Sequence, residues 1–452
     1  MASTSDSEQG EAPDLPMKTG LTSVRWRILA ILTGLSTVSY MLRTNISVAA
    51  KFMMPELSLS QIEMGQVFGS FMLAYALFQI PGGILGDRFG PRRVLTVAAV
   101  WWGVASILTG LVPGSIAGSG LGSFMSLLLL RFVLGIGEAA TYPVAARAIA
   151  NWFPATQHSL ANGIVLTGVP LGSAVAPPLV SWLMVTAGWR MSFYVPALMA
   201  FVLAIAWWMY GRDRPSDHRG VGEDEFKTIA GHQSPAPTKS DTASWWSLLR
   251  NRHIVLLSIS YVAEGYVLFM FVFWFYIYLV EVRGFSLLSG GIFASLPWIV
   301  SLFLTPAGGA LSDYFAARMG QLRGCRVVVV GGWMACGLFI VMGATADSPY
   351  LAVAGLSLAV GFILFTEAAF WSSAIHVAGP RAGAACGIMN MAGLFGGVIS
   401  TPLVPVLVAR FGWVFAMTVA AVVAVTGALI WLLIRDDARL PPRAVSLSVP
   451  NP

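Results

Sequence analysis

Residues 161–180 read ANGIVLTGVPLGSAVAPPLV, and residues 385–404 read ACGIMNMAGLFGGVISTPLV, an offset of 224. Gly163 falls on Gly387, Gly172 on Gly396, and Pro178-Leu179-Val180 on Pro402-Leu403-Val404. The same offset carries Gly188-Trp189 onto Gly412-Trp413. Further upstream, PGGILGDRFGPRR at 81–93 aligns with PAGGALSDYFAAR at 306–318 after one insertion, bringing Asp87 onto Asp313. Small residues match by chance in apolar helices, but ordered matches at one offset mark a duplication. The chain therefore reads as two copies of one unit.

The unit is a set of membrane helices. Apolar types make up 56% of the 452 residues and charged types 11%, against about 25% charged in soluble domains. So few charges cannot cover a soluble enzyme of this size, and the composition excludes a disordered chain or a nucleic-acid binder. A crossing helix needs about 20 apolar residues. Such runs fall at roughly 26–50, 61–85, 94–112, 124–149, 159–185, 191–210, 254–280, 290–311, 327–345, 350–376, 384–408 and 413–434. Twelve spans in two parallel six-helix repeats give an all-α membrane fold, with a substrate path expected between the halves near the bilayer midplane.

The division of the chain follows. Residues 1–24 read as a disordered cytoplasmic tail, 25–210 as the first six-helix bundle, 211–252 as a cytoplasmic linker with one short amphipathic helix, 253–435 as the second bundle, and 436–452 as a second tail. Of the 27 Lys and Arg residues, 21 fall on the side that holds the N-terminus, four on the opposite side, and Arg43 and Arg131 inside spans. Cytoplasmic loops carry the excess of basic residues, so both termini are predicted inside and the formal net charge of +6 is a topology signal. The three cysteines, Cys325, Cys336 and Cys386, have neither metal-binding nor redox spacing. No nucleophile–base motif, phosphate loop or metal cluster suggests an enzyme, a cofactor or a metal site.

Ionisable groups inside a bilayer cost about 2.5–3.5 kcal/mol each on insertion scales and mark function. Five stand out: Arg43, Arg131, Glu138, Glu264 and Glu367. The Arg43 guanidinium presents a planar fork suited to a carboxylate, and Asn45 beside it adds a neutral donor. Arg131 and Glu138 are seven residues apart on one helix face, roughly 10 Å along the axis, too far for a direct bond but suited to lining one cavity. Two cations and three anions have the means to neutralise one another across it. Phe370-Trp371, next to Glu367, are expected mainly as core.

The segment Gly83-Ile-Leu-Gly-Asp87-Arg88-Phe-Gly90-Pro-Arg92-Arg93 resembles the loop between the second and third helices of the major facilitator superfamily, with a weaker copy at Leu311-Ser312-Asp313. The resemblance implies that Asp87, Arg88 and Asp313 act as a conformational latch. Tyr40-x-x-Arg43-x-Asn45-x-Ser47, Tyr75-x-x-x-Gln79-x-Pro-Gly-Gly83, Arg131-Phe-x-x-Gly-x-Gly-Glu138 and Gly387-x-x-Asn390 are similar to the anion:cation symporter branch. That branch includes hexuronate, aldonate, glucarate, sialic-acid and vesicular glutamate carriers. It implies a proton-coupled importer of a small organic anion, a sugar acid or other carboxylate. In it Arg43 binds the carboxylate, Glu138 carries the proton and Arg131 modulates it, while Tyr75 and Asn390 occupy polar cavity positions. Leu42, Leu134 and Val169 depart from polar residues that members of the branch have there. Glu264 and Glu367 match no site of the branch and are read as extra protonation sites or partners of the arginines. The expected setting is a monomer in the bacterial inner membrane. The alternative is a proton-driven exporter of drugs or metabolites, since gradients and not the fold set direction.

Overall fold

The computed structural model describes residues 24–113, 121–230 and 248–434. The two expected tails, most of the second half of the linker and the third-to-fourth span connection lie outside the described residues.

Among the described residues every regular element is helical. The first half comprises α1 (Val24–Glu56), α2 (Gln61–Phe89), α3 (Pro91–Gly110), α4 (Leu121–Ala139), α5 (Thr141–Trp152), α6 (His158–Leu166), α7 (Gly168–Ala187) and α8 (Met191–Tyr210). The linker holds α9 (Glu223–Ala230), and the second half α10 (Arg252–Glu281), α11 (Leu287–Ala294), α12 (Leu296–Met319), α13 (Gln321–Thr345), α14 (Pro349–Phe365), α15 (Glu367–Ala378) and α16 (Ala382–Trp431). Among the described residues, ten stretches are long and apolar enough to cross a membrane. The last, α16, is 50 residues long and turns at Gly412, where φ is 83°, so it supplies two spans. With α1, 33 residues long, twelve segments are accounted for.

Several expected spans are broken in the middle. The span at 124–149 is α4 followed by α5, 159–185 is α6 followed by α7, and 290–311 runs across α11 and α12. Prolines explain these three breaks. Pro143, Pro170 and Pro297 have no N–H to give to the carbonyls four residues back, and their rings crowd those carbonyls. The fourth break, at Thr366 between α14 and α15, has no such proline. There the Thr366 hydroxyl donates to the Ile363 carbonyl and accepts from Trp333 Nε1.

The duplication recurs as turn geometry. Gly188 and Gly412, paired at the offset of 224, both have φ 83°. Gly90 and Gly320 close the second-to-third and eighth-to-ninth turns at φ 83° and 89°. These are left-handed positions where a side chain would be strained. The second copy of the loop motif is longer by one helical turn. Gly90 comes three positions after Asp87, and Gly320 seven positions after Asp313.

Within the first half α2 packs on α4, α3 on α8 and α1 on α7; in the second, α10 packs along α16. The halves meet where α2 crosses α16, where α7 meets α11 and α12, and where α1 meets α10. Gly65 and Gly69 of α2 let it lie against Thr401 and Pro402, since a Cβ at Gly65 would come within 2.6 Å of the Thr401 carbonyl oxygen. Phe68 stacks on Phe273 at 4.8 Å. At the predicted outer ends, Lys51 on α1 donates to Glu281 on α10 at 2.7 Å, and Gln61 donates to the same carboxylate at 3.0 Å. At the other end the linker is tied in, because Glu225 of α9 accepts from the backbone N–H groups of Val24 and Arg25 and so caps α1.

Candidate functional site

The five intramembrane charges sort into two groups. In the first half Arg43, Arg131 and Glu138 are all buried, at 2%, 1% and 0% exposure. Arg43 of α1 donates through Nε and Nη2 to Glu138 Oε2 at the end of α4, at 3.3 and 3.1 Å. Ser39, one turn before Arg43, donates to the same oxygen at 3.2 Å. Glu138 Oε1 is buried with no hydrogen-bond partner.

Three rings surround the guanidinium. Arg43 Cζ lies 4.4 Å from the Tyr40 ring centroid, 4.3 Å from Tyr75 and 5.2 Å from Phe71. Desolvated cation–π contacts of this kind are worth up to about 2 kcal/mol each. α4 comes this close to α2 because position 135 is glycine. A Cβ there would sit 2.5 Å from the Phe71 carbonyl oxygen. Tyr142 on α5, hydrogen-bonded to Ser36 at 2.9 Å, closes the group beside Tyr40.

Arg131 turns away from Glu138. It donates to the Leu42 carbonyl at 3.2 Å and to Asn45 Oδ1 at 3.3 Å, and its Cζ lies 5.4 Å from the Phe193 ring. The other end of the Asn45 amide donates to the Ser192 carbonyl at 3.2 Å. Both ends of the amide expected at the substrate are thus engaged within the bundle, and Asn45 joins α1, α4 and α8. The shared face of Arg131 and Glu138, expected from their spacing to line one cavity, is divided between two tasks. Tyr75, expected at a polar cavity position, packs its ring against the Arg43 guanidinium. Asn390 of the second half donates to Gln79 Oε1 of the first at 3.0 Å, so it bridges the halves.

In the second half Glu264 is 3% exposed on α10. Glu367, the first residue of α15, accepts from the Tyr261 hydroxyl at 2.6 Å and from Trp371 Nε1 at 2.8 Å. Neither carboxyl is an ion-pair partner of Arg43 or Arg131. Phe370 is core, with Tyr261 at 5.1 Å, Trp333 at 5.5 Å and Trp431 at 4.9 Å.

The residues expected to form a latch lie at the predicted cytoplasmic surface. Asp87 is 3.7 Å from Arg147 Nε, and both side chains are largely exposed. Arg88 lies over the Phe89 ring at 5.3 Å, and Asp313 is exposed. Arg92 is the better anchored residue of the motif. Its guanidinium caps α8 at the Trp208 carbonyl, and its backbone N–H donates to Asp213 at 2.8 Å. Sequence reading passed over Asp213, Ser39, Tyr142 and Tyr261. Asp213 carried a signal as an acid set between Arg212 and Arg214.

The sequence model of the Major Facilitator Superfamily matches residues 32–401. A probable sulfoacetate transporter of Cupriavidus necator is 34% identical over 390 residues, covering 86% of this chain and 88% of its own. The hexuronate transporter of Bacillus subtilis is 30% identical over 379 residues, covering 83% and 86%. Among solved structures, the inward-facing, occupied form of a bacterial homolog to the human lysosomal transporter Spinster superposes with a TM-score of 0.74 at 19% identity. It covers 94% of this chain and 100% of that one.

Proposed function

As the chain belongs to the Major Facilitator Superfamily and is a multi-pass membrane transporter rather than an enzyme, we propose that it imports a small organic anion together with protons by alternating access. The bacterial inner membrane, cytoplasmic termini and a monomeric state are part of this reading. The observation that carries it is the buried Arg43–Glu138 ion pair.

A buried pair is balanced only while both charges remain. Removing one leaves an uncompensated charge at a cost of about 3–5 kcal/mol. A proton on Glu138 removes the anion that Arg43 neutralises and frees the guanidinium fork. An incoming oxyanion then supplies the missing charge, with charge-assisted bonds worth about 1.5–3 kcal/mol each. An anion on Arg43 equally releases Glu138 to take its proton. Linkage makes the effect reciprocal, and symport follows without the two cargoes touching. Tyr40, Tyr75 and Phe71 wall the cation. Arg131 and Asn45 hold α1 against α4 and α8, so that Arg43 and Glu138 stay opposed.

The anion class is supported by the relatives, whose names are sulfoacetate and hexuronate carriers. An exporter uses the same fold, and direction separates the two readings. Purified protein in proteoliposomes is given radiolabelled glucuronate or sulfoacetate under an imposed pH gradient, acid outside. Concentrative uptake that collapses with a protonophore is expected. Efflux of an unrelated cationic drug with no uptake of either acid would favour export.

A further inference from the structure

The Arg43–Glu138 pair leaves two membrane-embedded carboxyls unused, Glu264 and Glu367. Glu367 accepts from the Tyr261 hydroxyl, and Glu264 lies one turn past Tyr261 on the same side of α10, so both carboxyls belong to one neighbourhood. Tyr261 on α10 and Trp371 on α15 bond Glu367, while Cys336 on α13 and Tyr40 on α1 of the other half lie within electrostatic reach of Glu264. No lysine or arginine is among these groups; the arginines inside second-half helices, Arg252, Arg318, Arg323, Arg326 and Arg410, all lie within six residues of a helix end or of the Gly412 turn. Glu367 Oε1 takes both available donors, while Oε2 is buried with no hydrogen-bond partner. Glu264 makes no hydrogen bond or ion pair among the described residues.

The duplication gives the pair a meaning. Ser39-Tyr40-x-x-Arg43 on α1 repeats as Ser260-Tyr261-x-x-Glu264 on α10, at an offset of 221. Glu138 is the last residue but one of α4 and Glu367 begins α15, each beside the break in its span. The second half thus carries the same constellation with its arginine replaced by glutamate. Where Glu138 has a guanidinium, Glu367 has another carboxyl. Two carboxylates beside one tyrosine in a medium of low polarity favour a shared proton until opening of the site lets water reach them. A hydrogen ion supplies the missing positive charge and the donor that Glu367 Oε2 lacks, and such a pair titrates as a unit.

We propose that Glu264 and Glu367 form a second proton site that holds one shared proton, so that each anion crosses with two protons, one on Glu138 and one on this pair. The proposal rests on the proton-coupled reading above and adds its stoichiometry. The proton is taken from the outer side and released unchanged to the inner side. Tyr261 fixes Glu367, and Glu264 sits on α10, the helix that α1 of the other half meets, so separation of the halves alters its surroundings.

The test measures coupling, not speed. Proteoliposomes containing the full chain, with the membrane potential clamped at zero, are loaded with radiolabelled glucuronate or sulfoacetate at a series of pH gradients. Two coupled protons make the steady-state accumulation ratio rise about a hundredfold per pH unit, and one proton about tenfold. The wild type is expected to follow the first slope, and Glu264→Gln and Glu367→Gln the second. A wild-type slope of one proton overturns the second site, with no variant needed, and leaves symport standing. Variants that keep the two-proton slope also overturn it. No gradient-driven uptake of either acid overturns the transport reading, and the second site with it.

Discussion

Arg43 and Glu138, 95 residues apart in the chain, close a buried ion pair at 3.1 Å between α1 and α4, with Ser39 on the same carboxylate oxygen. Each charge is the other's only ionic partner among the described residues. The pair is therefore a switch: whatever neutralises one member makes the other available.

Arg43→Lys keeps the charge and loses the planar fork that sits among Tyr40, Tyr75 and Phe71. Loss of one charge-assisted hydrogen bond costs about 1.5–3 kcal/mol, or about tenfold or more in affinity. Calorimetric titration with glucuronate and sulfoacetate checks this. Wild-type affinity in Arg43→Ala would remove Arg43 from the binding site.

Asn45→Ala separates two roles for one amide. If Asn45 braces Arg131 against Ser192, its loss leaves a buried guanidinium one acceptor short, at about 1–3 kcal/mol. The melting temperature in detergent should fall, while anion affinity should change much less than in Arg43→Lys. Affinity falling as it does for Arg43→Lys, with an unchanged melting temperature, would return Asn45 to the substrate.

Twelve spans, their duplication and the intramembrane charges were legible in the sequence because apolar run length, repeat spacing and rare charges are local properties. Gly188 and Gly412 matched in sequence and share one left-handed turn. The pairing of charges was not legible. Arg43 had three carboxyls to choose from, and only the close α2–α4 approach at Gly135 brings α4 alongside Tyr75 and the guanidinium. Arg131 read as a cavity residue because helical spacing sets the face a side chain shares, not the direction its head group takes. The span breaks had a signal in Pro143, Pro170 and Pro297. Membrane helices tolerate proline, so its presence alone did not locate a break.

Glu281→Gln loosens the outer seam. Glu281 receives both Lys51 and Gln61 across the halves, and partly exposed pairs are worth about 0.2–1 kcal/mol. A shift of a few-fold toward outward opening is expected, read as faster labelling of a Ser47→Cys probe by a membrane-impermeant maleimide in a Cys-free background. An unchanged labelling rate would show that the pair does not hold the seam.

The topology is checked by two single-cysteine probes in the same background. Asp347→Cys, in the connection before α14, should label from outside in intact cells. Ser216→Cys, in the linker, should label only after permeabilisation. The reverse pattern would invert the assignment of both termini.

The central claim is that protonation of Glu138 frees Arg43 for the anion. Protonation is favoured as pH falls, so wild-type affinity should strengthen toward acid and weaken toward alkali. Glu138→Gln resembles the protonated state at every pH. The decisive measurement is calorimetric anion affinity from pH 5 to pH 8 for both proteins. The variant is expected to hold the acid-side affinity of the wild type across the range, while the wild type weakens at the alkaline end. A variant that weakens in parallel with the wild type would contradict the claim and move the linked proton away from Glu138.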